Sequence, residues 1–287
     1  MSNVRALTAF CTYRRGIPMM AMRRHVATVL LSATCLLSLQ VLAQPARRLP
    51  IPIPNDDPSK GDVWREVKIL VPTGADAKYQ SIGVIPSRVP GKTALGTLIN
   101  GCLLVAPRHA VTDEAEGDVD VSARTAKFQY GYTGDASRPY FRSEVTIAPV
   151  VCGKVSSNGN YSETEDYCVF KTERVVSGEV PKINIATLGV EDAKKTVNAA
   201  VGFTTQSSAQ MNGQYALGID TQAYIHGGTD NIFAMNAVVS SGTPLIADAS
   251  GARAMVAMAV TYRYAVPMTT IMNAVRSTPS EKTACPR

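Results

Sequence analysis

From Trp64 onward the chain alternates short apolar runs with clusters of Gly, Pro, Asn, Asp and Ser. The runs are Val67–Val71, Ile82–Ile85, Thr97–Ile99, Leu103–Ala106, Lys127–Tyr130, Val145–Val151, Tyr167–Lys171, Ile183–Leu188, Ala199–Phe203, Gln222–Ile225, Ile232–Met235, Ala254–Val260 and Tyr264–Val266. Many are rich in Val, Ile, Tyr or Phe, which fit a pleated, half-buried surface, and the spacing predicts an all-β sandwich or barrel. One stretch has helical period instead. Met268, Ile271, Met272 and Val275 share a face, with Pro267 near the start and Pro279 beyond the end. A helix over 268–276 is predicted. There is no internal repeat and no glycine-rich phosphate loop.

Ahead of this region, Met22-Arg23-Arg24-His25 precedes an apolar run from Val26 to Ala43 that ends in small residues before Gln44. A positive start, an apolar centre and a cleavable end predict a secretory signal peptide over 1–43, with translation starting at Met1, Met20 or Met22. A membrane anchor is the alternative, but the run is marginal in length and carries Ser32, Thr34, Ser38 and Gln40. Residues 44–62 hold five prolines among charged and turn-forming residues, the pattern of an extended linker or arm.

The chain has 287 residues, 45% hydrophobic and 18% charged, enough to build one large domain or two small ones. A disordered tail protein, a collagen and a coiled coil are excluded. The net charge of +6 comes mostly from the leader: residues 1–43 carry five arginines and no acid, leaving 24 basic against 23 acidic residues. The basic balance is therefore no argument for nucleic-acid binding. Cleavage of the signal removes Cys11 and Cys35. Cys102, Cys152, Cys168 and Cys285 remain, an even number in an exported chain. Two disulfides are expected, in any of three connectivities. Cys152 and Cys168 flank a strand-to-strand connection, which favours that pair.

After signal removal only His109 and His226 are left to serve as imidazole bases. His109 follows a β-rich run in TLINGCLLVAPRHAVT. Asp166 precedes an apolar strand in EDYCVFK, where a carboxylate can orient an imidazole through its ring N–H. Ser241 lies in VVSSGTPLIA, on a glycine-containing turn before another strand, and can present its hydroxyl and its backbone N–H together. Each feature alone also has a structural explanation: a loop histidine, a turn-initiating aspartate, a surface turn. An α/β-hydrolase is excluded, since it needs glycine two residues before the serine and the reverse residue order.

Taken together, these segments resemble chymotrypsin-like (trypsin-fold) serine proteases, nearer the bacterial glutamyl-endopeptidase-like branch. GTLINGCLLVAPRHAV resembles the family's histidine motif, DYCVFK its aspartate strand and VSSGTPL its serine loop, over about residues 67–276. The resemblance implies two six-stranded antiparallel β-barrels with the active site between them and a short C-terminal helix. In chain order that is one domain over 63–287: barrel one about 63–175, barrel two about 176–267, then the helix. It also implies an exported (periplasmic or extracellular) serine endopeptidase with Ser241 as nucleophile, His109 as base and Asp166 as its orienting acid. The backbone N–H groups of Val239 and Ser241 would form the oxyanion hole. Met235 and Asn236 are expected on one wall of the primary pocket, with Val260, Thr261 and Tyr262 opposite. No carboxylate stands at the pocket base, so a small or apolar side chain is the expected substrate residue. His226, in IHGGTD, would favour an acidic substrate side chain if it lined the pocket, but it is expected to be a solvated loop residue. The partner is a peptide or protein substrate, with no nucleic acid, no membrane after signal cleavage, no cofactor and no metal, and the chain acts as a monomer.

Two departures stand out. Val239 replaces the family's glycine, and a β-branched residue resists unusual backbone angles. Ser240 replaces the aspartate with which trypsins capture a new N-terminal ammonium, so that activation switch cannot operate at this position. The first departure keeps a second reading open, a catalytically impaired protease-fold binding protein. An exported β-sandwich adhesion or binding domain, in which the pattern of His109, Asp166 and Ser241 is coincidental, is the third.

Overall fold

The computed structural model describes residues 48–53, 63–70, 73–86, 93–111, 124–134, 141–154, 162–176, 178–203, 216–249 and 252–286. The predicted signal segment, 1–43, lies outside these residues, as does most of the proline-rich arm.

Six antiparallel strands close into a barrel: β3 (Ile82–Pro86), β4 (Thr93–Leu98), β5 (Leu103–Ala106), β6 (Ala126–Tyr132), β7 (Phe141–Cys152) and β8 (Cys168–Thr172), in the order β3-β4-β5-β8-β7-β6. Closure follows from Val84 of β3 pairing with Gln129 of β6. Side chains from alternate positions fill the interior, where Leu104, Phe128, Tyr130 and Phe170 are fully buried. A side chain such as Phe170 contributes about 2–3 kcal/mol when taken out of water this completely.

The remaining strands form a ten-stranded curled sheet among the described residues. They are β1 (Arg48–Ile53), β2 (Val63–Ile69), β9 (Asn184–Ile185), β10 (Val197–Phe203), β11 (Leu217–Asp220), β12 (Tyr224–Thr229), β13 (Ile232–Asn236), β14 (Pro244–Ala249), β15 (Ala252–Ala259) and β16 (Tyr264–Pro267). Their order is β1-β2-β11-β10-β14-β15-β16-β13-β12, with β9 beside β15.

The closed barrel and this curled half-barrel agree with the expected double-barrel fold. The structure corrects the sequence reading in one respect: β11 pairs with β10 on one side and with β2 on the other. Residues 63–69, expected in barrel one from their place in the chain, therefore belong to the second sheet. Strand pairing is non-local, and apolar runs do not report which edge they join. Part of the arm extends the same edge, since β1 pairs with β2 from Arg48↔Lys68 to Ile53↔Val63. Pro50 and Pro52 are tolerable there because an edge strand can spare ladder donors.

The helix α1 (Val190–Thr196) and the 3-10 segment Gly74–Ser81 were not anticipated; the first carries Glu191 and Asp192 in its first turn and Lys194 and Lys195 in its last. That charge order suits the helix dipole. The helix α2 (Met268–Ser277) forms where its periodicity predicts, burying Met268 and Ile271. A last short turn, α3 (Ser280–Thr283), leads to Cys285, whose disulfide to Cys102 fastens the C-terminal segment to the first barrel.

One core cluster joins the two units. It includes Leu95 and Val105 from the barrel and Val201, Phe203 and Ile246 from the sheet. At its edge, Phe203 meets Tyr132 and Phe141 edge-on at 5.0 and 5.3 Å between ring centroids, the geometry aromatic quadrupoles favour.

Candidate active site

Register brings the first two candidate residues together. Strands β5 and β8 run antiparallel, with Ala106 at the end of one opposite Cys168 at the start of the other. His109 lies just past Ala106 and Asp166 just before Cys168, so both emerge at the same end of the ladder. Pro107 ends β5, and a 3-10 turn over Arg108–Ala110 carries the histidine. The Cys152–Cys168 disulfide fixes the neighbouring strand end. Buried Arg108 donates Nη1–H to the Gly153 carbonyl at 2.6 Å.

Asp166 holds the histidine by two bonds. One carboxylate oxygen, Oδ1, accepts the His109 backbone N–H at 3.1 Å, and Oδ2 lies 2.7 Å from Nδ1. A carboxylate accepts, so the network assigns the ring proton to Nδ1 and leaves Nε2 as the free base. The Asp166 side chain is 6% exposed and that of His109 21%, so the acid is covered while the ring keeps an open side. Nearby, burial and then the Asp166 charge raise the Glu163 carboxyl above its ordinary range.

Ser241 sits on a turn bound to both units. Its carbonyl accepts the N–H of Leu95, in β4 of the barrel, at 2.8 Å. The turn closes through Thr243 N–H to the Ser240 carbonyl and Ser240 N–H to Thr243 Oγ1, each at 2.9 Å. Gly202 makes room for that hydroxyl, since a Cβ there would lie 2.8 Å from Thr243 Oγ1. Gly242 is required twice over: its φ is +92°, and a Cβ would stand 2.0 Å from the Leu95 carbonyl oxygen. Ser240 turns inward, donating Oγ–H to the Phe203 carbonyl at 3.0 Å.

The backbone donors around Ser241 divide into two sets. Val238, Ser240, Gly242 and Thr243 each donate to an acceptor within the chain. No such acceptor faces the N–H of Val239 or of Ser241 among the described residues. The Val239 side chain is half-buried against the second sheet's core.

No family model and no curated protein matches this chain. Solved structures do. A Glu endopeptidase in complex with MPD aligns with a TM-score of 0.53 at 14% identity, over 72% of this chain and 92% of that one. A scabies mite inactivated protease paralogue, S-D1, aligns with a TM-score of 0.48 at 12% identity, over 73% and 96%. The fold is chymotrypsin-like.

The expected pocket residues take different places on this chymotrypsin-like fold. Met235 and Val260 are buried in core clusters. Asn236 is half-buried and bonded to Arg65. Thr261 closes a tight turn, its hydroxyl accepting the N–H groups of Arg263 and Tyr264. Tyr262 is half-exposed, with the Arg263 guanidinium 5.0 Å from its ring centre. His226 is exposed on β12 beside Tyr224. Among the described residues no three His, Cys, Asp or Glu side chains cluster to hold a metal ion. Sequence reasoning overlooked Gly202, Thr243 and Arg108, which shape the site from behind, and a buried Arg65–Asp220 pair. The signal for the last was an arginine on the apolar phase of a strand, next to exposed Glu66.

Proposed function

We propose that this protein is an exported serine endopeptidase that cleaves peptide bonds through an acyl-enzyme. The carrying observation is the pair of hydrogen bonds from His109, backbone N–H and ring Nδ1, to the Asp166 carboxylate, with a covered acid and an open imidazole face. In this reading Nε2 of His109 takes the Ser241 hydroxyl proton as Oγ attacks the carbonyl carbon. Asp166 steadies the imidazolium. The negative oxygen of the tetrahedral species takes hydrogen bonds from the N–H groups of Val239 and Ser241. The C–N bond then breaks, the imidazolium gives its proton to the departing amine, and water hydrolyses the ester by the same route. Asn236, Thr261 and Tyr262 line the primary pocket, with Met235 and Val260 behind them, and a small or apolar side chain is accepted.

Two disulfides support export, since such bridges persist in oxidising compartments. No helix among the described residues is long and apolar enough to cross a membrane. The chain acts alone on its peptide substrate.

Val239 favours a second reading, a protease-fold binding protein with impaired catalysis. A fluorophosphonate probe separates the two. The enzyme reading expects labelling at Ser241, abolished in Ser241→Ala and strongly reduced in His109→Ala. Folded wild-type protein that stays unlabelled selects the binding protein.

A further inference from the structure

The curled sheet leaves a seam between its two ends. Strands β2 and β11 stand near one end of the strand order, β13 and β12 at the other. No backbone ladder joins them among the described residues. Hydrogen bonds from a buried ion pair at the β2–β11 end cross the gap instead. Arg65 of β2 donates Nη1–H to Asp220 Oδ2 of β11 at 2.9 Å and to the Gln222 carbonyl at 2.8 Å. Its Nη2 bonds the side chain of Asn236, the last residue of β13. Arg65 is 8% exposed and Asp220 1%. Tyr224 covers the guanidinium, with its ring centre 5.8 Å away.

The same carboxylate reaches the loop that carries Ser241. Asp220 Oδ2 also accepts the Val238 backbone N–H at 2.9 Å, while Oδ1 accepts that of Gln222 at 2.8 Å. The segment from Ala237 to Ser240 has no regular secondary structure to hold it. Besides the packing of Ala237, Val238 and Val239, it is held by few hydrogen bonds: Val238 on Asp220, and Ser240 on Thr243 and Phe203. Val239 lies between them. A buried ion pair is a poor choice for stability alone, since desolvation offsets most of its attraction. Its geometry is what an apolar pair would lack: a charged acceptor that aligns one chosen N–H.

We infer that Arg65 and Asp220 are positioning residues, a clasp across the open seam that sets the backbone of Val238–Ser241. The inference rests on the endopeptidase reading for its consequence, because the N–H groups so aimed are the oxyanion donors. Arg65 touches no reacting atom. It holds Asp220 and Asn236, and Asp220 holds Val238.

The test is Arg65→Met/Asp220→Leu, which removes the clasp without stranding a buried charge. Two readouts are taken on the full mature chain. Hydrogen–deuterium exchange of the peptic fragment spanning 237–241 is expected to quicken about tenfold, the size of one lost hydrogen bond, with β14 and β15 unchanged. The limiting rate of fluorophosphonate labelling is expected to fall about tenfold or more while its half-saturating concentration stays put, as loss of a transition-state donor requires. Arg65→Lys, which keeps the charge, should recover part of both. Wild-type exchange in the fragment overturns the clasp, and so does faster exchange with undiminished labelling. If folded wild-type protein is never labelled, the endopeptidase reading fails and the exchange result alone judges the clasp. If the double variant does not fold, Asp220→Asn is read by the same exchange, where faster exchange supports the clasp and unchanged exchange overturns it.

Discussion

Leu95 of the closed barrel donates its backbone N–H to the Ser241 carbonyl at 2.8 Å, so the serine turn is hydrogen-bonded to the unit that carries His109. That contact depends on Gly242, whose missing Cβ lets the Leu95 carbonyl approach. Gly242→Ala is expected to destabilise the protein by about 3 kcal/mol, from strain at positive φ and a clash that only backbone movement relieves. Urea unfolding measures this. A midpoint equal to that of the wild type would show that the turn relaxes freely.

Asp166 offers an acceptor to His109 Nδ1. Asparagine at this position would present an N–H as readily, and the imidazole would then favour the wrong tautomer. Asp166→Asn is expected to cut turnover about 10⁴-fold, as the equivalent change does in the template triad, with the fold retained. Steady-state hydrolysis of a peptide ester, paired with circular dichroism, checks both parts. Activity within tenfold of wild type, about a quarter or less of the barrier effect named here, would remove Asp166 from the mechanism.

Val239 packs on the second sheet's core while its N–H is assigned to the oxyanion hole. Replacing it by glycine frees the backbone but gives up that packing. Val239→Gly is expected to raise turnover, by up to about 10²-fold if the valine misaligns one donor. It should also cost about 1–2 kcal/mol of stability. Turnover that is unchanged or lower would mean that the valine is accommodated as it stands.

The two disulfides close loops of very different size, with sequence separations of 183 and 16 residues. Chain entropy assigns about 5 kcal/mol to the longer and about 3 kcal/mol to the shorter. Cys102→Ser/Cys285→Ser is therefore expected to lower the denaturation midpoint more than Cys152→Ser/Cys168→Ser. Mass mapping without reduction should find both bridges. A free thiol among the four in exported protein would contradict the pairing.

Much of this protein was legible as local pattern. Short β-branched runs announced the strands, because a side-chain period of two is a property of neighbouring residues. The apolar face of Met268, Ile271, Met272 and Val275 announced α2 for the same reason. The order of His109, Asp166 and Ser241 within recognisable surroundings marked them as candidates. Four-residue β11, with one turn of chain and no long apolar run, gave too little signal to be noticed.

Tertiary structure decided what depends on partners far along the chain. Only the β5–β8 register puts Asp166 against His109. Only the pairing of β2 with β11 carries Arg65 to Asp220, 155 residues away. Pairing and burial are settled by which edges and faces remain to be covered once the whole chain has collapsed, and no window of neighbouring residues contains that information.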